Sequence, residues 1–385
     1  MNKSCLIGFL MCSAFSLVVQ AATDGAHITK TISQIERKKG IKRTIQYRPD
    51  GNDFVCVNGK NRYTRALYGG ITDFRIETSD RPVFATYKPK DSKHICFRLQ
   101  CGNQSIALDS LKFCEARYRA GRRTYRLTDP LLGKGELNIS VLAFPDAEGG
   151  IWRFTMKDMP EGALLHCYIS EIRAKNLSRN GDMGADRADS FDAPQLPKEQ
   201  KHYKLSLDGT TAYIVVEDQE LRLPALVEGT SLYDKSEKWR SEIESSLQIS
   251  TPDPYFNPLG GALAAAADGI WDGKIWLHGA IGWRSQLNGW RAAYIGDFIG
   301  WHDRARTHFD SYAASQVTDV PATIPHPTQD TALHLARSVK KWGTPHYSNG
   351  YICRTPYRKD QMHHYDMNLC YIDELLWHFN WTGDL

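Results

Sequence analysis

The sequence has almost no surplus of one charge. Its 48 Lys and Arg stand against 44 Asp and Glu, a net of +4, which is too small a bias to support nucleic-acid binding. Such mild basicity tolerates an acidic polysaccharide without indicating one. Past the first twenty residues no apolar run is long enough to span a bilayer. Cysteine pairs of the C-x-x-C type are missing from Cys56, Cys96, Cys101, Cys114, Cys167, Cys353 and Cys370, which argues against a zinc ribbon. Phosphate loops, nucleophile elbows and Rossmann fingerprints are also missing. At 24% charged residues the chain is no disordered polymer, and 385 residues suffice for two domains with a sizeable core.

The N-terminus reads as a secretory signal over residues 1–21. Lys3 supplies the positive region, residues 6–19 the apolar stretch, and Val19-Gln20-Ala21 a small-residue cleavage site. The expected mature protein is exported, secreted or periplasmic, and lacks a membrane span. Export would permit one disulfide among Cys96, Cys101 and Cys114. The commoner outcome is seven small buried hydrophobes.

Residues from about 30 to 247 read as β. Period-two alternation marks residues 44–48, 54–57, 74–77 and 83–87, with turn chemistry at Pro49-Asp50-Gly51-Asn52 and Val57-Asn58-Gly59-Lys60, and later strands are read at 124–127, 137–142, 151–156 and 212–216. Many short strands separated by turns predict an antiparallel sandwich over 30–250. Residues 176–200, polar and rich in Gly, Asp, Arg and Pro, read as a long insert. Residues 237–246 fit either a short helix or a strand end.

After Pro254 the character changes. Residues 259–270 suit a small-residue helix. Residues 297–316 carry Phe298, Trp301, Ala305, Phe309, Tyr312 and Ala313 on one helical stripe. A further helix is expected over 331–341. Another spans 366–380, its apolar stripe being Leu369, Ile372, Leu375, Leu376 and Phe379, with Glu374 solvated on the other side.

The densest chemistry lies in residues 283–306, which combine three Trp, four Arg, two Asp and a His. That mixture suits a concave site for a polar ligand with flat apolar faces, such as a sugar. Trp283, Trp290, Arg291 and His302 are the expected substrate-binding residues. Asp297 and Asp303 are candidate catalytic carboxylates. For Asp297 a helix N-cap is the competing role, and for Asp303 an ion pair. Trp301 belongs to the core by residue type. A second constellation, Met362-His363-His364-Tyr365-Asp366-Met367-Asn368, adds His364 and Tyr365 as substrate contacts and Asp366 as a third candidate acid, with Asp373 on the same flank. His-His-x-Asp is a poor metal spacing, so neither a metal nor a cofactor is expected. The partner is a carbohydrate.

Gly282-Trp283-Arg284, Gly289-Trp290-Arg291, Gly296-Asp297, Gly300-Trp301-His302-Asp303-Arg304-Ala305-Arg306, His363-His364-Tyr365-Asp366-Met367-Asn368 and Trp381-Thr382-Gly383-Asp384 together resemble an uncharacterised group of exported six-hairpin glycosidase-like proteins. Leu67-Tyr68-Gly69 and Asp80-Arg81-Pro82 resemble that group's β region. The resemblance covers most of the mature chain and implies a multi-domain β + α architecture. An N-terminal antiparallel β-sandwich would lead into an (α/α)6 toroid over residues 255–385. It implies a glycoside hydrolase using two carboxylates. A polysaccharide lyase is the alternative, with Tyr365 or His364 abstracting a proton and Arg291 neutralising a uronate. A non-catalytic carbohydrate-binding fragment is the other. Only about 130 residues follow Pro254, enough for a few helices of a toroid. The expectation is therefore an incomplete toroid with part of its surface exposed.

Overall fold

A computed structural model describes residues 47–60, 63–88, 91–171, 201–280, 284–288, 293–316, 318, 329–330, 335–336, 350–356 and 365–384. The expected signal segment and the polar insert at 176–200 lie outside these residues. Two antiparallel sheets dominate. The first contains β1 (Arg48–Asp50), β2 (Asp53–Val57), β8 (Phe113–Arg119), β9 (Arg122–Thr128), β10 (Glu136–Ala143), β11 (Gly149–Lys157), β14 (Thr211–Glu217) and β15 (Glu220–Arg222), adjacent in that order. The second runs β13 (Lys201–Ser206), β12 (Leu164–Glu171), β6 (Asp91–Cys101), β5 (Phe84–Lys88), β4 (Arg75–Ser79) and β3 (Tyr63–Tyr68), with β7 (Gln104–Ala107) also paired to β6.

Alternation decides which side chains fill the space between the sheets. Ile95, Phe97 and Leu99 point inward from β6, and Leu137, Ile139 and Val141 do so from β10. Aromatic edges lock the two layers. The Phe84 ring meets Phe97 at 5.8 Å, Tyr125 at 5.6 Å and Trp152 at 5.6 Å, all near perpendicular. Such edge-to-face pairs add to plain area burial. The seven cysteines among the described residues are free thiols. Burial pushes Cys96 and Cys114 up to about 12, so these thiols stay protonated and inert at neutral pH.

The β reading through residue 247 overreaches, because α1 (Leu226–Ser245) is helical and lies on the outer face of the first sheet. Its buried positions are Gly229, Tyr233, Ser236, Arg240 and Ile243. They recur at helical spacing but are mostly polar or small, so hydrophobicity gave no signal. Arg240 can be buried because Glu237 and Glu244 each reach its guanidinium at 2.7 Å. Tyr233 joins the sheet through a buried hydroxyl pair with Ser140 at 2.7 Å. Tyr233→Phe is expected to cost about 1 kcal/mol, read as a lower urea midpoint with unchanged slope. An unchanged midpoint would show that this bond stabilises nothing.

Helix α2 (Leu259–Gly269) packs on α1 and β3, as the small-residue stretch predicts. The expected helix over 297–316 is instead two helices, α3 (Ala293–Phe298) and α4 (His302–Ala313). Gly300 sits between them at φ +81°, a conformation that ends a helix and that only glycine adopts freely. Residues 335–336, inside another expected helix, form a two-residue strand β17 (Leu335–Ala336) paired with β16 (Gln329–Asp330). The rest of that expected helix lies outside the described residues.

Helix α5 (Tyr365–Thr382) forms where expected but faces the other way. Leu369, Ile372, Leu375, Leu376 and Phe379, the stripe read as its core face, are exposed, as are Trp377 and Trp381. Met367, Tyr371, Glu374 and His378 are buried instead, so Glu374 is enclosed rather than solvated. Polar bonds turn that face inward. Tyr371 OH donates to Phe309 O at 2.8 Å, and the Asn368 amide both accepts from Ile352 N–H at 2.7 Å and donates to Ile352 O at 3.0 Å. No described helix is long and apolar enough to cross a membrane.

Candidate active site

Helices α3, α4 and α5 meet over Trp276, which is fully buried together with Ile275, Phe309 and Tyr312. Glycine at 296 is required for that contact, since a Cβ there would lie 2.2 Å from the Trp276 ring. The close approach fixes the position of the next residue, Asp297.

Asp297 is 5% exposed and fifth of the six residues of α3. It is therefore no N-cap: it sits at the helix end where the backbone dipole disfavours a negative charge. Imidazoles supply the compensation. His302 Nδ1 lies 2.8 Å from Oδ1, and His378 Nδ1 lies 2.9 Å from both Oδ1 and Oδ2. An ionised carboxylate only accepts, so each Nδ1 carries the proton that it donates. The far nitrogen of His378 faces Asp384 Oδ2 at 3.4 Å, and Arg306 Nε donates to that same oxygen at 2.6 Å. The Arg306 hydrogen bond holds the Asp384 carboxyl below its ordinary range.

This gives a continuous chain, Arg306–Asp384–His378–Asp297–His302, running from surface to interior and back. The His378 side chain is 5% exposed, whereas that of His302 is 41% exposed. Of the groups around Asp297, His302 is thus the one that a bound molecule can touch. With Nδ1 committed to Asp297, its Nε2 is the nitrogen available for proton transfer.

The other sequence candidates divide by position. Asp303 and Asp366 are exposed acids in the first turns of α4 and α5. Tyr365 is placed as the first residue of α5, and nothing is described of its side chain. Trp283, Trp290, Arg291 and His364 lie outside the described residues. Asp373 accepts from Tyr294 OH at 2.7 Å, tying α3 to α5. Trp301 packs against the core cluster and sends its Nε1–H to Ser246 Oγ at 3.2 Å. The structure brings Asp297 and His302 together and adds His378, which sequence reasoning missed. Its only signal was a place four residues after Glu374, on the side opposite the Leu and Ile stripe.

Nearby, a cavity of about 430 Å³ opens between the sandwich and the helices, lined by Tyr68, Tyr118, Trp239, Ile243, Asp268 and Ile270 among others. Burial raises the pKa of Asp268, and Arg304 at 2.7 Å opposes that rise. The guanidinium of Arg304 also lies over the Trp301 ring, 4.4 Å from its centroid. No cluster of three or more His, Cys, Asp or Glu suited to a metal occurs among the described residues.

Comparison with known proteins gives little further definition. No curated protein matches the chain. A solved structure of a bacterial glucoamylase complexed with acarbose is similar over 69% of this chain and 55% of its own, with 10% identity and a TM-score of 0.36. This chain therefore spans about half the length of that enzyme. Residues 89–216, from β6 through most of β14, match the family described as a domain of unknown function, DUF4450.

Proposed function

We propose that this chain is an exported, glycosidase-like enzyme that cleaves glycosidic bonds in a polysaccharide or oligosaccharide. Its acid–base centre is the Asp297–His302 pair. The observation that supports this role is a buried carboxylate held by two imidazoles, one of which is open to solvent. Asp297 orients His302 and fixes its tautomer, and His302 Nε2 moves the proton. Trp283, Trp290, Arg291, His364 and Tyr365 are the proposed sugar contacts, with Asp303 and Asp366 the remaining candidate acids. Sugar as the substrate rests on the Trp- and Arg-rich motifs of the sequence.

A second reading is favoured by one feature, the imidazole rather than a carboxylate at the exposed end of the pair. A neutral imidazole nitrogen suits proton abstraction beside a uronate carboxylate, the opening step of a lyase. The two separate in one assay of the purified chain against a polysaccharide panel. Hydrolysis yields new reducing ends without ultraviolet absorbance, whereas lysis yields reducing ends together with the absorbance of an unsaturated uronate. Absorbance rising in step with the ends would reject hydrolysis. Binding without either product would reject both and leave a carbohydrate-binding role.

A further inference from the structure

Away from the helices, the outer face of the second sheet carries an arrangement that the proposed chemistry does not use. His166 on β12 and His202 on neighbouring β13 sit diagonally across the strand pair, with Tyr168 directly opposite His202. His166 Nδ1 and His202 Nε2 are 2.7 Å apart. The two rings lie within 9° of parallel, with centroids 5.0 Å apart. An imidazole ring has a radius of little more than 1 Å, so this centroid distance is that of rings lying edge to edge in one plane. Their facing nitrogens therefore lie on one line and point at each other, with the His202 proton between them, as in an N–H···N hydrogen bond. Tyr168 stacks on His202 at 4.7 Å and 8° and steadies that ring.

The other nitrogen of His166 is already committed. Its Nε2 lies 2.6 Å from Gln100 Oε1 on β6. A carbonyl oxygen accepts, so Nε2 carries the proton and Nδ1 presents its lone pair. This is how metal-bound histidines are commonly held, with the far N–H given to a carbonyl or carboxylate that sets tautomer and ring direction. Burial, followed by His202, Lys204 and Arg98, lowers the pKa of His166. His202 is exposed, so the pair is reached from solvent.

We propose that His166 and His202 form a two-imidazole chelate for a divalent first-row transition metal, with water completing its coordination. In the metal-free pair, the His202 Nε2–H donates to His166 Nδ1. On binding, His202 stays neutral by carrying its proton on Nδ1 instead, and both facing nitrogens bond the ion. Metal–nitrogen bonds of about 2.0–2.1 Å place two cis ligands about 3 Å apart with the ion to one side of the line between them, so the nitrogen spacing barely changes but each ring must turn by roughly 45° to aim at the ion. An edge strand and an exposed His202 allow that shift. Lys204 and Arg98 repel the added charge, so added salt leaves affinity unchanged or raises it.

The test uses the untagged chain and metal chlorides alone. Calorimetry should show one equivalent bound, copper(II) most tightly and nickel and zinc less so, with magnesium silent. Copper(II) electron paramagnetic resonance should report two equatorial nitrogens. His202→Gln removes one ligand while its amide still donates to His166, so the fold is kept. It should weaken the site at least tenfold. Gln100→Leu, which frees the far nitrogen of His166, should weaken it by roughly tenfold. Unchanged affinity in His202→Gln, a copper spectrum with fewer than two nitrogens, or no one-equivalent binding at millimolar metal would each overturn the proposal.

Discussion

Asp297→Asn lowers turnover of a cleaved glycan by roughly a hundredfold or more, in a protein that still folds. The carboxylate accepts from His302 Nδ1 and from His378 Nδ1 through two oxygens. Asparagine keeps one acceptor and turns the other into an N–H donor. The NH2 opposes the Nδ1–H of His378 if it takes the Oδ2 position, and that of His302 as well if it takes the Oδ1 position, so the opposed ring must turn to present a lone pair or weaken its bond. If that ring is His302, its outward nitrogen changes from base to donor, which is the wrong form for the step. The structural cost is that of a disturbed buried bond, about 1–3 kcal/mol, so assays well below the melting temperature separate instability from lost chemistry. His302→Gln should fall by a similar factor. Near-normal turnover in Asp297→Asn would make this cluster a structural tie between α3, α4 and α5, and would remove it from the reaction.

The sandwich was legible because burial on one face of a strand imposes a two-residue alternation on the sequence. Strand β9 shows it plainly, buried at every second position, whereas β14, covered on both faces, is buried throughout Tyr213–Val216. Helix α1 was not legible, because it binds the sheet through Tyr233, Ser236 and Arg240 rather than through an apolar stripe. Helix α5 misled for the complementary reason. Its Leu, Ile, Trp and Phe side chains mark one face clearly, yet that face is exposed and a hydrogen-bonded face is buried. Apolar periodicity locates a helix and its apolar side; it does not say what covers that side. The site divides in the same way. Asp297 and His302 are five residues apart and could be read as a cluster. His378 reaches Asp297 across 81 residues of chain, a contact that only the packing of three helices creates.

Acid should destabilise the fold from about pH 6.5 downward, before most carboxylates are protonated, because His308 is buried neutral. Its ring is 1% exposed and packs against Trp276, Phe309 and Tyr312. Nδ1 accepts from Trp276 N–H at 3.1 Å, so the single proton of the neutral ring resides on Nε2. Burial pushes the pKa from 6.5 down to about 3. His94 moves the same way, to about 4. In both, the folded pKa lies below the unfolded one, so the unfolded chain binds the extra proton. The contribution is therefore intact above pH 6.5 and is lost as pH falls toward the folded pKa. One pKa unit is worth about 1.4 kcal/mol, so His308 alone accounts for roughly 3 kcal/mol between pH 7 and pH 4. Asp268 works in the opposite sense. Its raised pKa means that protonation relieves a buried charge, which offsets part of the loss at the acid end. Urea midpoints measured from pH 7.5 to pH 4 test this directly. His308→Asn keeps an acceptor for Trp276 N–H, lowers stability at neutral pH by leaving a gap, and cannot take up the proton. Its curve should be flatter than that of the wild type by close to one proton, about 1.4 kcal/mol per pH unit, across pH 6 to 4. Parallel curves would mean that His308 titrates alike in the folded and unfolded chains, and the acid sensitivity would then belong to other groups.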